Sequence, residues 1–158
     1  MPGLAIRSAG PDDAARLNAA LRALSASMGD PHRASDAQIA AALAQGACRA
    51  LLAEAGGQIG GAAVFSPLFS TTRGAAGVYV SDLWVAADRR GAGLGRRLLA
   101  AVRDEAARAW QAGFLRLGVY RDNAAARAFY DRLGFAAPEN ELYLTLTGAA
   151  LAALEGDP

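Results

Sequence analysis

Val85-Ala86-Ala87-Asp88-Arg89-Arg90-Gly91-Ala92-Gly93-Leu94-Gly95-Arg96-Arg97-Leu98-Leu99 is where the chain changes its period. Ahead of it, Val78 to Val85 is an apolar run suited to a strand. Behind it, Leu94, Leu98, Leu99, Val102, Ala106 and Trp110 recur at helical spacing, with arginines and acids on the opposite face. The glycines therefore lie in a strand-to-helix turn, and the helix is expected to start at about Gly91. Its first N–H groups have no partner inside the helix. Glycines at 91, 93 and 95 remove the β-carbons that keep a bulky diphosphate from the backbone, and the helix dipole adds about 0.3–1 kcal/mol per favourable charge. Arg90, Arg96 and Arg97 offer forked side-chain donors. The alternative is a plain glycine-rich turn under a packed helix. The dinucleotide pattern Gly-x-Gly-x-x-Gly has a different spacing, and a phosphate loop ending in Gly-Lys-Ser/Thr is impossible in a chain without lysine.

Working towards the N-terminus, three apolar runs (Ala47 to Ala53, Ile59 to Phe69, Val78 to Val85) are separated by Gly56-Gly57 and by Thr71 to Gly77, the pattern of an antiparallel meander. Leu4 to Arg7 is a short strand. A helix follows from Pro11-Asp12-Asp13 to about Ser27, is broken by Met28 to Arg33, and resumes from a cap at Ser35 or Asp36 to about Ala44. Towards the C-terminus, Gly113 stops the long helix and Phe114 to Tyr120 is a strand. Asn123 then caps a helix through Leu133, and Leu142 to Leu146 forms a last strand before a short terminal helix. The order is β-αα-βββ-α-β-α-β, an α/β (α+β) arrangement in which a mixed, mostly antiparallel central sheet of six to seven strands is flanked by helices.

With 158 residues and a net charge of +1, the chain reads as a single domain, 1–158, with no basic patch for nucleic acid. It has no run of about eighteen apolar residues and no Lys/Arg-led apolar leader, so a cytoplasmic protein without a membrane partner is expected. Cys48 sits in an apolar run as a packed thiol. His32 is the only histidine, which excludes a His-rich metal site, and no metal is expected.

Two longer segments carry a resemblance. Asp82 to Leu99, and Asn123-Ala124-Ala125-Ala126-Arg127-Ala128-Phe129-Tyr130-Asp131-Arg132-Leu133-Gly134-Phe135, are similar to the two cofactor motifs of the GNAT superfamily of N-acetyltransferases, at the separation that superfamily shows. The resemblance covers residues 4 to 147 and implies acetyl-CoA as co-substrate. By position it implies that Leu83, Trp84 and Val85 pair with the pantetheine arm. Arg90, Gly91, Ala92, Gly93, Leu94, Gly95 and Arg96 would hold the pyrophosphate. Asn123 and Ala126 would border the pantetheine, and Tyr130 would face the sulfur. Asn123 is also an ordinary helix cap, and Tyr130 an ordinary core residue.

An amine attacks a thioester only when neutral, so a proton must be removed from a group of pKa about 10.4. Asp82 is the only acid on the central strand. It is a candidate for that base, for binding a second ammonium of the acceptor, or for a structural role. A backbone N–H near Val85 would meet the charge developing on the carbonyl oxygen. Acceptor contacts are expected from Met28, in the break between the first helices, and from Ser81 and Asp82. The segment Tyr79 to Val85 is similar to the diamine and polyamine branch, with Ser81 where that branch has Glu. These features favour transfer to the primary amine of a small molecule. A protein or peptide N-acetyltransferase and a catalytically inert acyl-CoA-binding module are the alternatives. The edge of the Leu142 to Leu146 strand also leaves a homodimer open.

Overall fold

All three apolar runs of the meander become strands in the computed structural model, which describes residues 3–154. They belong to the first of two compact units, Met1–Gly118 and Val119–Pro158. The sheet of the first unit has β1 (Ala5–Ser8), β2 (Arg49–Ala55), β3 (Gln58–Ser70), β4 (Ala75–Val85) and β5 (Leu115–Leu117) in the spatial order 1-2-3-4-5. Every pair is antiparallel except β4 with β5, which is parallel. The helices of this unit are α1 (Ala14–Met28), α2 (Asp36–Gln45) and α3 (Leu94–Trp110). The second unit carries α4 (Ala124–Arg132), capped by Asn123, and the short α5 (Gly148–Ala152).

The described residues give five strands, against the six to seven expected. Leu142 to Leu146 forms no strand; Leu142, Tyr143 and Leu144 are 80, 74 and 91% exposed. Apolar alternation allows a strand, but a ladder requires a neighbouring backbone to take up its N–H and C=O groups. The strand expected over Phe114 to Tyr120 is cut to Leu115–Leu117, because the chain turns beyond it, with Asn123 N–H donating to the Tyr120 carbonyl at 3.1 Å.

One face of the sheet packs against α1 and α2. Leu17, Ala20 and Leu21 meet Ala50, Leu52, Ala62 and Val64, with Ile39, Leu43, Cys48 and Trp84 around them. Cys48 is thus the packed thiol expected, and burial pushes it up from its ordinary range. The other face takes α3, through Leu94, Leu98, Leu99, Val102 and Ala106. Gly61 makes that seat possible. A β-carbon there would lie 2.9 Å from Leu98 Cδ1 and 3.2 Å from both Leu94 Cδ2 and the Trp84 carbonyl oxygen. Its absence lets the first two turns of α3 rest on β3 and β4, which fixes where the helix N-terminus opens.

Arg7 ties β1 to α1 and β2. It holds Asp13 through two hydrogen bonds of 2.9 and 2.8 Å and Glu54 through two of 2.9 and 3.4 Å, while Arg16 reaches Glu54 at 2.8 Å. Arg7, helped by the Gly10 N–H, pulls the Asp13 carboxyl down from 3.8 to about 2. A carboxyl depressed in the folded state adds stability above its unfolded pKa, and that stability is lost as pH falls through the folded value. Asp13→Asn is therefore expected to lower the unfolding free energy by about 1 kcal/mol at pH 7. The difference from wild type should shrink between about pH 4 and pH 2. Denaturant titrations of both proteins at several pH values check this; a difference that persists at the acid end would mean that the pair is not its source.

Candidate functional site

In the first unit, β3 and β4 leave register once between Val64 and Phe65: Val64 pairs with Asp82 and Phe65 with Val80, so Ser81 is an extra residue on β4. A bulge of this kind breaks the alternation of faces. Val64 lies in the core under α1 and α2, and Asp82, opposite it, shares that side. Ser81 is close enough for its hydroxyl to donate to Asp82 Oδ2 at 2.9 Å and to the Val64 carbonyl at 3.3 Å. Strict alternation would have separated the two side chains; the bulge brings them together. Burial raises the Asp82 pKa, and the Ser81 hydroxyl and His32 oppose the rise in part.

Beyond the bulge β4 loses its outer neighbour. The last β4 to β5 pair is Val80 with Leu117, so Ser81 to Val85 presents an edge that no strand among the described residues covers. Leu83, Trp84 and Val85 lie on this free edge, as an extended ligand paired to it would need. The edge leads to the glycine turn. Gly91 and Gly93 take φ values of 79° and 78°, in the left-handed region, so α3 starts at Leu94 and not at about Gly91 as the spacing suggests. No side chain caps α3, and its first internal bond runs from Arg97 N–H to the Gly93 carbonyl, at 3.1 Å. The N–H groups of Leu94, Gly95 and Arg96 thus have no partner within the helix. The positions that β-carbons of Gly91 and Gly93 would take have no neighbour within 4 Å. Free donors, a dipole end and open space fit a diphosphate.

Only one of the three arginines is left wholly for such a ligand. Arg90 Nε donates to the Val85 carbonyl at 3.0 Å and Arg97 Nη2 to the Leu4 carbonyl at 3.2 Å, each bracing the framework. Arg96, exposed in the first turn of α3, bonds to none of the described residues.

The α1 to α2 connection is held by a residue that the sequence reading passed over. Asn18 is fully buried, and both hydrogens of its amide are committed, to the Ala34 carbonyl at 3.0 Å and to Asp36 Oδ1 at 2.7 Å. Its Oδ1 therefore accepts the hydrogen of His32 Nε2, 2.7 Å away. His32 Nδ1 is 3.1 Å from Ser25 Oγ. His32 is thus a clasp for the connection between the helices and contributes to the electrostatics at Asp82. A signal existed: Asn18 is a polar residue within the stripe Ala14, Leu17, Leu21 of an amphipathic helix. Met28, 39% exposed, ends α1 just before this connection.

In the second unit, the Asn123 side chain accepts the Ala126 N–H at 3.1 Å and so acts as the helix cap. Tyr130 stands between two rings, with centroids 5.2 Å from Phe129 and 5.4 Å from Phe135. Burial raises its pKa, which keeps the phenol protonated at neutral pH. Its hydroxyl bonds to none of the described residues. Ala126, four residues earlier, is half-buried.

Residues 17–135 match the acetyltransferase (GNAT) family. The chain belongs to that family. This GNAT protein is accordingly an acetyltransferase of a family that generally uses acetyl-CoA. No curated protein matches its sequence. Among solved structures it is similar to a ribosomal-protein-alanine N-acetyltransferase from Brucella melitensis biovar Abortus 2308, at 23% identity and a TM-score of 0.76, with 91% of this chain and 100% of that one covered. An integron cassette protein from the mobile metagenome of V. cholerae is 20% identical, with a TM-score of 0.76 and 96% of each chain covered. An aminoglycoside acetyltransferase from an uncultured soil metagenomic sample, solved with sisomicin, is 16% identical, with a TM-score of 0.76, 91% of this chain and 95% of that one covered. These likenesses establish the fold. The acceptors named for them differ, and the diamine and polyamine branch gains no support from them. Among the described residues, no helix of this GNAT protein is long and apolar enough to cross a membrane.

Proposed function

We propose that the whole chain, residues 1–158, works as one N-acetyltransferase domain that moves an acetyl group from acetyl-CoA to the primary amine of a small molecule by direct attack. The observation that carries this reading is the half-buried Asp82, turned by the bulge to the side of Ser81 and next to the uncovered edge of β4. Acetyl-CoA supplies, when bound, a thioester carbon that a neutral amine can attack. Asp82 takes the proton from the incoming ammonium. The N–H groups of Leu94, Gly95 and Arg96, with the Arg96 guanidinium, hold the pyrophosphate, and Leu83 to Val85 pair with the pantetheine arm. A β4 N–H near Val85 stabilises the charge that develops on the carbonyl oxygen. Asn123 and Ala126 border the pantetheine, and Tyr130 gives its proton to the sulfur as the C–S bond breaks. Met28 and Ser81 contact the acceptor.

Thiol release from acetyl-CoA, measured against small primary amines and against peptides with free amino termini, tests the reading. Turnover of small amines ahead of peptides is expected. Turnover of peptides alone, or CoA binding with no turnover of any acceptor, would overturn it. Tyr130→Phe is expected to lower kcat by about ten- to a hundred-fold with an unchanged melting temperature, since it removes a proton donor and leaves the ring packing. An unchanged kcat would remove Tyr130 from the mechanism.

A further inference from the structure

The sheet face that carries Asp82 continues past the bulge. Tyr79 pairs with Ser66 on β3 and with Arg116 on β5, and Gly77 stands two residues earlier on the same side of β4 as Tyr79. Phe114 covers Gly77 so closely that a β-carbon there would lie 2.4 to 2.6 Å from three of its ring atoms. Two guanidinium groups converge on that ring. The Cζ of Arg73, from the β3 to β4 turn, is 5.1 Å from its centroid and that of Arg116 is 5.5 Å away. Neither side chain forms an ion pair or hydrogen bond with any of the described residues. Arg7, Arg16 and Arg49, by contrast, all have carboxylate partners. Contact with an aromatic face offsets only part of the repulsion between like charges, and the planar forks are well suited to a carboxylate or phosphate.

The face is therefore polarised along β4. One carboxylate, Asp82, lies at the bulge. Three positions earlier, at Tyr79, the strand is flanked by Arg116, and Arg73 stands beyond it. Because Ser81 is the bulged residue, the partners of Tyr79 and Asp82 on β3, Ser66 and Val64, are only two residues apart, and at about 3.3 Å per residue the separation along the strand is roughly 7 Å. We propose that Arg116 and Arg73 form an anion subsite, so that the acceptor is a zwitterion with its amine at Asp82 and a carboxylate or phosphate over Phe114. This rests on the reading of Asp82 as the acceptor end of the site. A diamine would put its second ammonium against two uncompensated cations, a physical reason to set the diamine class aside.

The probes are ω-amino acids of increasing length, from 4-aminobutanoate to 8-aminooctanoate, compared with diamines and alkylamines of the same span. In the wild type, the best ω-amino acid should exceed its matched diamine by about ten-fold or more in kcat/KM. Arg116→Gln combined with Arg73→Gln should abolish that preference while alkylamine turnover stays within about two-fold, and Arg116→Lys should restore part of it. A wild-type preference for diamines, or a preference that survives the double substitution, overturns the proposal. Calorimetric titration with glutarate gives an answer that does not depend on turnover: binding should weaken by about ten-fold in the double variant, and equal or absent binding in both proteins counts against the subsite. Asp82→Asn separates the two readings. If it leaves all turnover intact while glutarate binding still depends on the arginines, Asp82 is not the base and the subsite stands.

Discussion

Asp82→Asn is expected to cut kcat/KM for amine acetylation by about a hundred-fold or more at neutral pH, because it removes a positioned proton acceptor and keeps the shape of the side chain. The melting temperature and the affinity for CoA should change little, since Asn can still accept the Ser81 hydrogen bond. The wild-type pH profile carries the same information. Burial is the largest influence on the Asp82 carboxyl and raises its pKa, so the acid limb of kcat/KM should fall at a pH above the ordinary aspartate range. Ser81→Ala should move that limb further up, since the hydroxyl it deletes favours the ionised form. If Asp82→Asn retains kcat/KM within about two-fold, the proton goes to some other acceptor and the role assigned to Asp82 falls.

The second large effect belongs to the glycine turn. Gly93→Val is expected to raise KM for acetyl-CoA by about ten- to a hundred-fold, because a β-branched residue resists the left-handed backbone that aims the N–H groups of Leu94, Gly95 and Arg96 outward. The position has no neighbour for a β-carbon to strike, so the effect acts through the backbone and not through collision. Gly46→Val is the matched control: Gly46 caps α2 with φ of 71°, the same kind of strain at another helix end. Both variants should lose a similar amount of stability, of the order of 1–2 kcal/mol, but only Gly93→Val should lose acetyl-CoA. Equal KM values in the two variants would mean that the turn does not hold the cofactor.

Much of this was legible before any coordinates. The change of period at Gly91 to Gly95, the Gly56-Gly57 hairpin, a cap of α2 at Ser35 or Asp36, of which the structure uses Ser35, and the Asn123 cap of α4 all follow from local chemistry: glycine's access to left-handed angles, and short side chains that accept backbone hydrogens. What escaped depends on partners distant in sequence. Leu142 to Leu146 has the composition of a strand, but a strand also needs a neighbouring edge, which composition does not supply. The bulge at Ser81 is a property of the register between β3 and β4, invisible in either segment alone, and it decides that Ser81 and Asp82 meet. The groups that Asn18 satisfies, on Ala34, Asp36 and His32, are brought to it only by the α1 to α2 connection.

The extra residue on β4 also works as a phase shift. Val78 and Val80 are buried on one side of it and Asp82 and Trp84 continue the count on the other, so the two halves of one strand keep separate parity. Removing Ser81 would leave Val80 opposite Phe65 and Asp82 opposite Val64, which is uninterrupted pairing. The hydrophobic core thus has no need of that residue. What the extra residue adds is the bend that a bulge gives a strand, so the packing of this protein and the course of the open edge of β4 are free to vary one without the other.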